Sequence, residues 1–191
     1  MRLFAALDMP ENVAEELRAW WTGACIHLDA ADWRDVPSVN WHLTLAFYGD
    51  VEGGEADDLA ESLAECAAQT AALSLKLTQF GAFPRLTRPR VLWVGVEDAA
   101  AGGGMNALAR CCRRAGRATV RKRSAKEQPF HGHITVARGR DFPAPIEAEA
   151  LSEMPAVPEM SWEASSLRLY RSTLHSEGAR YRVLEEFELS G

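Results

Sequence analysis

Two short segments of the sequence each carry a histidine and a threonine separated by one apolar residue. The first is His42-Leu43-Thr44, and the second, in the other half of the chain, is His133-Ile134-Thr135. Alternate side chains on a β-strand share a face, so the imidazole and the hydroxyl of each segment would lie roughly 6.6 Å apart. That spacing suits one small oxyanion held by both groups. Two such strands predict a site far more strongly than one would.

The residue types in these segments predict acid–base chemistry on a phosphate. An imidazole has an ordinary pKa of about 6.5, so two histidines facing one cleft can divide general-base and general-acid work. The hydroxyls of Thr44 and Thr135 can donate hydrogen bonds to the non-bridging oxygens of a phosphate held between them. Arg138 adds a permanent positive charge if the end of its strand turns the side chain inward. The pattern therefore favours cleavage of a phosphodiester.

The sequence gives this site no obvious metal. It contains no carboxylate cluster with the spacing of metal ligands, so we expect neither a metal nor another cofactor. His131 and His133 share a strand face and form an alternative metal pair, but no third ligand accompanies them. The triple glycine 102–104 lacks the lysine of a phosphate-binding loop, and we interpret it as the flexible entry to a helix.

The composition is that of a soluble globular protein, with 47% hydrophobic and 25% charged residues among 191. No apolar run reaches the roughly 18 residues of a membrane span, and the apolar start of the chain is too short for a signal peptide. We therefore expect a cytoplasmic protein without membrane contact. The four cysteines have no CxxC spacing and are expected to be reduced structural thiols, not a disulfide or a zinc site.

Positive charge is concentrated in one segment, although the net charge is −6. Eight of the 21 lysines and arginines lie between Arg110 and Lys126, with no acidic residue among them. Such a run could bind a phosphate backbone electrostatically, or it could be the solvated end of a helix with its following loop. Both interpretations stay open at this point.

The periodicity of apolar residues predicts an α+β fold. Helices are expected over 10–27, 55–72 and 105–116, and strands over 2–8, 41–48, 73–80, 90–96, 133–138, 165–170 and 181–189. Loops are predicted at 32–40, where Trp33 could stack on a base, and a turn at 81–84. Trp41, Leu43, Leu45 and Phe47 are expected to form the core face of the first histidine strand.

The order of these elements puts the two histidine strands in comparable places. We therefore predict two pseudo-symmetric lobes of mostly antiparallel sheet, with outer helices and the active-site cleft between the lobes. Residues 1–191 would form one bilobal domain that arose by internal duplication.

The motifs resemble those of the two-histidine phosphoesterase superfamily, and within it the RNA 2′,3′-cyclic phosphodiesterases, also called 2′-5′ RNA ligases. The resemblance covers nearly the whole chain and is carried by residues 2–7, 40–45, 80–84, 88–93, 130–138, 169–172 and 178–181. One departure is Gly132, which stands where the family usually has proline before the second histidine.

The resemblance implies an RNA 2′,3′-cyclic 3′-phosphodiesterase that acts as a monomer without a metal. His42 would donate a proton to the leaving 3′-oxygen, and His133 would activate water. Thr44 and Thr135 would bind the phosphate oxygens, and Arg138 would add its charge. The product would be a 2′-phosphomonoester, with reversible 2′-5′ ligation of RNA as a further reaction, and the rate would follow a bell-shaped pH profile with limbs on either side of neutrality.

Two other functions fit the same residues. One is a phosphodiesterase acting on a small cyclic nucleotide or on a 2′-5′-linked oligonucleotide. The other is an RNA-end-binding protein with little turnover. Comparing a cyclic mononucleotide with an oligonucleotide as substrates separates the small-nucleotide enzyme from the leading function. A single-turnover assay on a short RNA ending in a 2′,3′-cyclic phosphate separates the binding protein from both enzymes.

Overall fold

The computed structural model describes residues 1–100, 102–121, 129–141, 143–175 and 178–191, and within them the chain forms four α-helices and nine β-strands. The helices are α1 (Glu11–Ala24), α2 (Gly53–Ala68), α3 (Gly104–Thr119) and α4 (Ala148–Glu153). The strands are β1 (Arg2–Asp8), β2 (Trp33–Asp35), β3 (His42–Asp50), β4 (Leu73–Arg85), β5 (Arg88–Asp98), β6 (His133–Gly139), β7 (Ser161–Ala164), β8 (Ser166–His175) and β9 (Gly178–Glu188). In these ranges no helix is long and apolar enough to cross a membrane.

The strands form two antiparallel sheets with matching orders. The first sheet has the order β3-β1-β8-β9, and the second has the order β2-β6-β5-β4-β7. Each sheet therefore places its histidine strand, β3 or β6, beside a central strand whose apolar residues are buried on both faces. The predicted α+β class with two pseudo-symmetric, mostly antiparallel lobes is confirmed.

The first helix of each lobe packs on the sheet of the other lobe. Helix α1 follows β1, yet Trp20 and Trp21 lie against Phe80 of β4, with ring centroids 6.0 and 6.4 Å apart. Helix α3 follows β5, yet the Tyr48 hydroxyl of β3 donates to the Cys112 carbonyl of α3 at 3.2 Å. Each of these helices therefore joins its own lobe to the sheet of the other lobe, and together they fix how the two sheets are arranged. Helix α1 has an apolar stripe at three- and four-residue spacing that is buried throughout: Val13, Leu17, Trp20, Trp21 and Ala24.

The turn predicted at 81–84 is wrong, because β4 continues to Arg85 and pairs with β5 across this segment. The chain needs glycine at position 81 because the Trp93 side chain lies close to the backbone here, and not because the chain turns. A side chain at this position would lie 2.9 Å from the Cε2 atom of Trp93 on the neighbouring strand. The predicted loop at 32–40 also contains a strand, β2, and the short strand β7 was not predicted.

Trp33 is not in the open loop predicted for it, and its burial leaves little ring surface for stacking on a base. It lies in β2 with 7% of its surface exposed, and its carbonyl accepts a hydrogen bond from the Arg140 side chain at 3.0 Å. The pairing of β2 with the edge of β6 turns this indole into the core.

The prediction of four reduced cysteines is wrong for two of them. Cys66 of α2 and Cys111 of α3 form a disulfide, with Cα atoms 5.8 Å apart. Helices α2 and α3 pack against each other, and this contact joins cysteines 45 residues apart in the chain. Cys25 and Cys112 are not disulfide-bonded, and burial raises the pKa of Cys112 to about 12.

Candidate active site

The two histidine strands lie beside each other where the sheets meet. His42 begins β3 and His133 begins β6, so both imidazoles stand at the same end of their strands. Residues 42–47 and 133–138 share one burial pattern: half-buried, buried, half-buried, buried, buried, exposed. The fold thus brings together the histidine–threonine pairs that the sequence separates by half its length.

Each histidine strand contains a β-bulge at the third residue after its histidine. In β3 the pairing passes from Thr44 to Ala46 and leaves out Leu45. In β6 it passes from Thr135 to Ala137 and leaves out Val136. An extra residue in one strand reverses the alternation of side chains beyond it.

The bulges decide which face the fifth residue after each histidine occupies. Arg138 lies on the same face of β6 as His133 and Thr135. The contribution predicted for Arg138 depends on this orientation, and the bulge provides it. Phe47 lies on the corresponding face of β3, so its predicted place in the core is wrong. It is 47% exposed, and the Arg2 guanidinium lies 5.3 Å from its ring centroid.

Both imidazoles are oriented by the same backbone contact. The Nδ1 atom of His42 lies 2.7 Å from the Asn40 carbonyl oxygen, and Nδ1 of His133 lies 2.7 Å from that of His131. A carbonyl oxygen only accepts hydrogen bonds, so each Nδ1 carries a hydrogen and donates it. Proton transfer to and from a ligand then falls to Nε2 in both rings.

The surroundings favour the neutral form of both histidines. Burial lowers the pKa of His42 to about 4; the Asn40 hydrogen bond opposes this, and the charges of Arg138 and His133 add to it. Burial also lowers the pKa of His133, the hydrogen bond to His131 opposes it, and the charges of His131 and Arg138 add to it. The positive charge of Arg138 therefore disfavours protonation of both rings.

Aromatic rings enclose each imidazole. His42 lies 4.8 Å from Phe4 and 5.1 Å from Tyr181, measured between ring centroids. His133 lies 4.9 Å from Phe83 and 6.2 Å from Trp93. These walls were not predicted, because they come from β1, β9, β4 and β5, and only the pairing of the strands brings them to the histidines.

A hydrogen-bonded ion pair supports the wall beside His42. The Tyr170 ring stacks on Phe4 at 5.0 Å, and its hydroxyl donates to the Asp8 carboxylate, which also pairs with Arg168. Burial raises the pKa of Tyr170, with Glu186 adding to the rise, so the phenol keeps its proton.

Within the described residues, no third donor lies with His131 and His133 to complete the alternative metal site. Their ring centroids are 6.3 Å apart, and His131 packs edge-on against Trp93 at 4.6 Å. Among the described residues, no three histidine, cysteine or acidic side chains lie close enough together to hold a metal ion.

Two concavities open beside this site. A cleft of about 890 Å³ is lined in part by Arg138, and one of about 470 Å³ is lined in part by His42. Asn40 and Tyr181 line both, so the two concavities adjoin beside His42.

The structure describes only part of the basic run from Arg110 to Lys126. Arg113 donates from Nε to the carbonyl of the bulge residue Leu45 at 3.3 Å, and its guanidinium carbon lies 5.4 Å from the centroid of the Phe130 ring. Lys122, Arg123 and Lys126 lie outside the described residues. The proposed contact of this run with a phosphate backbone stays a prediction.

Gly132 is required by a close approach of backbones. A Cβ atom at this position would clash with the Val96 carbonyl oxygen and lie 2.8 Å from Cε of Met105. The Val96 amide donates to the Gly132 carbonyl at 2.9 Å, so neither backbone can withdraw without losing this bond. The departure from the family's proline is thus matched by the packing around it.

We expect Gly132→Ala to lower the free energy of unfolding by about 1–3 kcal/mol, the usual effect of overpacking. It should also lower turnover, because His131 and His133 flank the displaced backbone. The matched control is Gly54→Ala on α2, where an added Cβ meets nothing within 4 Å. Thermal unfolding and kcat measured on both variants check this. Equal melting temperatures for the two variants would contradict it.

Comparison with known proteins gives one family. The family model described as LigT like phosphoesterase matches residues 7–93 and 101–181. An RNA 2′,3′-cyclic phosphodiesterase of Aeropyrum pernix is 38% identical over 80% of this chain and 84% of its own length. One of the same name from Geobacillus stearothermophilus is 32% identical over 98% of this chain, which spans 57% of that relative's length.

The solved structures include a relative with a bound nucleotide. The crystal structure of E. coli LigT complexed with 3′-AMP superposes with a TM-score of 0.80 at 26% identity. The match covers 100% of this chain and 98% of that one.

Proposed function

The chain belongs to the LigT-like phosphoesterase family, and we propose that it hydrolyses RNA ends carrying a 2′,3′-cyclic phosphate to 2′-phosphomonoesters without a metal. The observation that carries this proposal is the matched pair of histidine strands. Both imidazoles have a fixed Nδ1–H, both threonines share their face, and Arg138 adds a positive charge to both. The relatives' names and the 3′-AMP complex of E. coli LigT support the choice of substrate.

In the proposed reaction, Nε2 of His133 takes a proton from a water molecule whose oxygen attacks phosphorus. His42 reacts as the imidazolium, with protons on both Nδ1 and Nε2. As the bond from phosphorus to the 3′-oxygen breaks, Nε2 of His42 gives its proton to that oxygen. This leaves His42 neutral and His133 protonated, and proton exchange with solvent restores both. Thr44, Thr135 and Arg138 stabilise the charge on the non-bridging oxygens. The products are a 2′-phosphomonoester and a 3′-hydroxyl, so atoms and charge balance. All five groups come from one chain, which is consistent with a monomer that is active alone, and 2′-5′ ligation would be this chemistry with a ribose hydroxyl in place of water.

Hydrolysis of a nucleoside 2′,3′-cyclic monophosphate in the presence of EDTA tests the proposal. We expect ³¹P NMR to show the 2′-monoester alone, at a rate that the chelator leaves unchanged, since every proposed group is a side chain. A 3′-monoester would reverse the assigned roles of the two oxygens. Loss of rate with EDTA, restored by zinc or manganese, would contradict metal independence. Binding without turnover would favour the RNA-end-binding alternative.

A further inference from the structure

We propose that the cleft of about 890 Å³ binds the RNA strand on the 5′ side of its cyclic end, with Arg34 and Arg140 contacting consecutive phosphates. This inference rests on the proposed function and extends it to the rest of the substrate. A strand whose last phosphate lies between the histidines can leave the site along either of the two adjoining concavities. The composition of their walls decides which one.

The larger cleft is positively charged, although the protein as a whole is acidic. Its lining contains four arginines and two aspartates: Arg34, Arg138, Arg140, Arg180, Asp35 and Asp141. The smaller concavity beside His42 has two acids, Asp8 and Glu11, and one arginine that is already paired with Asp8. A polyanion is therefore attracted to the first and repelled by the second.

The pairing of β2 with β6 adds an independent observation. Arg34 is the direct cross-strand partner of Arg138, so their side chains share one face and both are exposed. Like charges in directly opposed positions destabilise a sheet. A phosphate bound between the two guanidinium groups removes this repulsion. An opposed arginine pair is therefore the arrangement expected at the mouth of a phosphate site.

The fold fixes the other groups of the cleft. Arg140 uses one of its five N–H donors on the Trp33 carbonyl at 3.0 Å, which holds its guanidinium at the rim. The Asp35 carboxylate accepts a hydrogen bond from the Trp21 indole at 3.0 Å, so a core residue fixes the orientation of this acid. Asn40 donates to the Ala179 carbonyl at 3.1 Å, which joins the rim on both sides next to His42. Val36 and Pro37 add apolar surface on which bases can rest.

The test uses a fluorescent tetranucleotide ending in a 2′-phosphate, the proposed product, so that turnover does not disturb binding. Its dissociation constant is measured by anisotropy at several salt concentrations for the wild type and for Arg34→Gln/Arg140→Gln. Each lost phosphate contact on a single strand lowers the log–log salt slope by about 0.7, so we expect a fall of about 1.4. The matched control is Arg171→Gln/Arg182→Gln, an exposed cross-strand pair of arginines that lines neither concavity. A separate variant, Arg110→Gln/Arg114→Gln on α3, tests the basic run.

A wild-type slope in the cleft variant would overturn the proposal. A loss found instead in the α3 variant would place the strand along the basic run. The kcat/KM ratio of a cyclic tetranucleotide to a cyclic mononucleotide should fall in the cleft variant and stay unchanged in the control. Failure of the wild type to hydrolyse either substrate would refute the proposed function, while the anisotropy slopes would still decide where RNA binds.

Discussion

Alanine in place of either histidine is expected to lower the turnover of a cyclic mononucleotide by roughly 10²–10⁴-fold, the usual contribution of a positioned acid or base. His42→Ala removes the proton donor to the 3′-oxygen, and His133→Ala removes the base for water. Neither should lower the melting temperature greatly, because both side chains are half-buried at a cleft and their Nδ1 bonds go to backbone carbonyls. The measurements are kcat for each variant and thermal unfolding.

The matched control for these variants is His175→Ala, which changes an exposed histidine of β8. Its kcat should equal that of the wild type. Thr44→Ala and Thr135→Ala should have smaller effects than the histidine variants, because each removes one hydrogen bond to a charged group. Such a bond is worth roughly 1.5–3 kcal/mol, or roughly ten- to a hundredfold in rate. Full activity in either histidine variant would end the assignment of its role.

The sequence predicts the chemical groups of the site better than their directions. Alternation along an ideal strand correctly groups His42 with Thr44 and His133 with Thr135. It fails beyond Leu45 and Val136, where one unpaired residue reverses the faces. A bulge depends on which residue of the neighbouring strand lies opposite, so no periodicity within β3 or β6 could locate it.

The features that escaped prediction all depend on contacts between distant segments. Arg34 reaches the site because a three-residue strand pairs with β6, and three residues are too few to show a period. Cys66 and Cys111 meet because α2 and α3 pack together. The helices themselves were predicted well, since an apolar stripe such as that of α1 is a local property of the chain.

The pH profile is expected to lie further to the acid side than ordinary histidines would place it. In the proposed mechanism the active free enzyme carries an added proton on His42 and none on His133, so kcat/KM should follow a bell between two apparent pKa values. Burial lowers the pKa of His42 to about 4 and also lowers that of His133. Both limbs should therefore fall below pH 6.5, and not on either side of neutrality as the sequence predicts. The value of kcat/KM should decrease about tenfold per pH unit above the upper limb.

Bound phosphate and Arg138 should move this profile in opposite directions. The negative charge of the substrate raises the pKa of both histidines, so the alkaline limb of kcat should lie at higher pH than that of kcat/KM. Arg138 lowers the pKa of both, so Arg138→Gln should move the alkaline limb of kcat/KM upward even while its maximum falls. The control Arg18→Gln, on the exposed face of α1, should leave both limbs in place. If the alkaline limb of Arg138→Gln coincided with that of the wild type, the guanidinium would not act on the histidines. Phosphate binding would then have to be assigned to other residues.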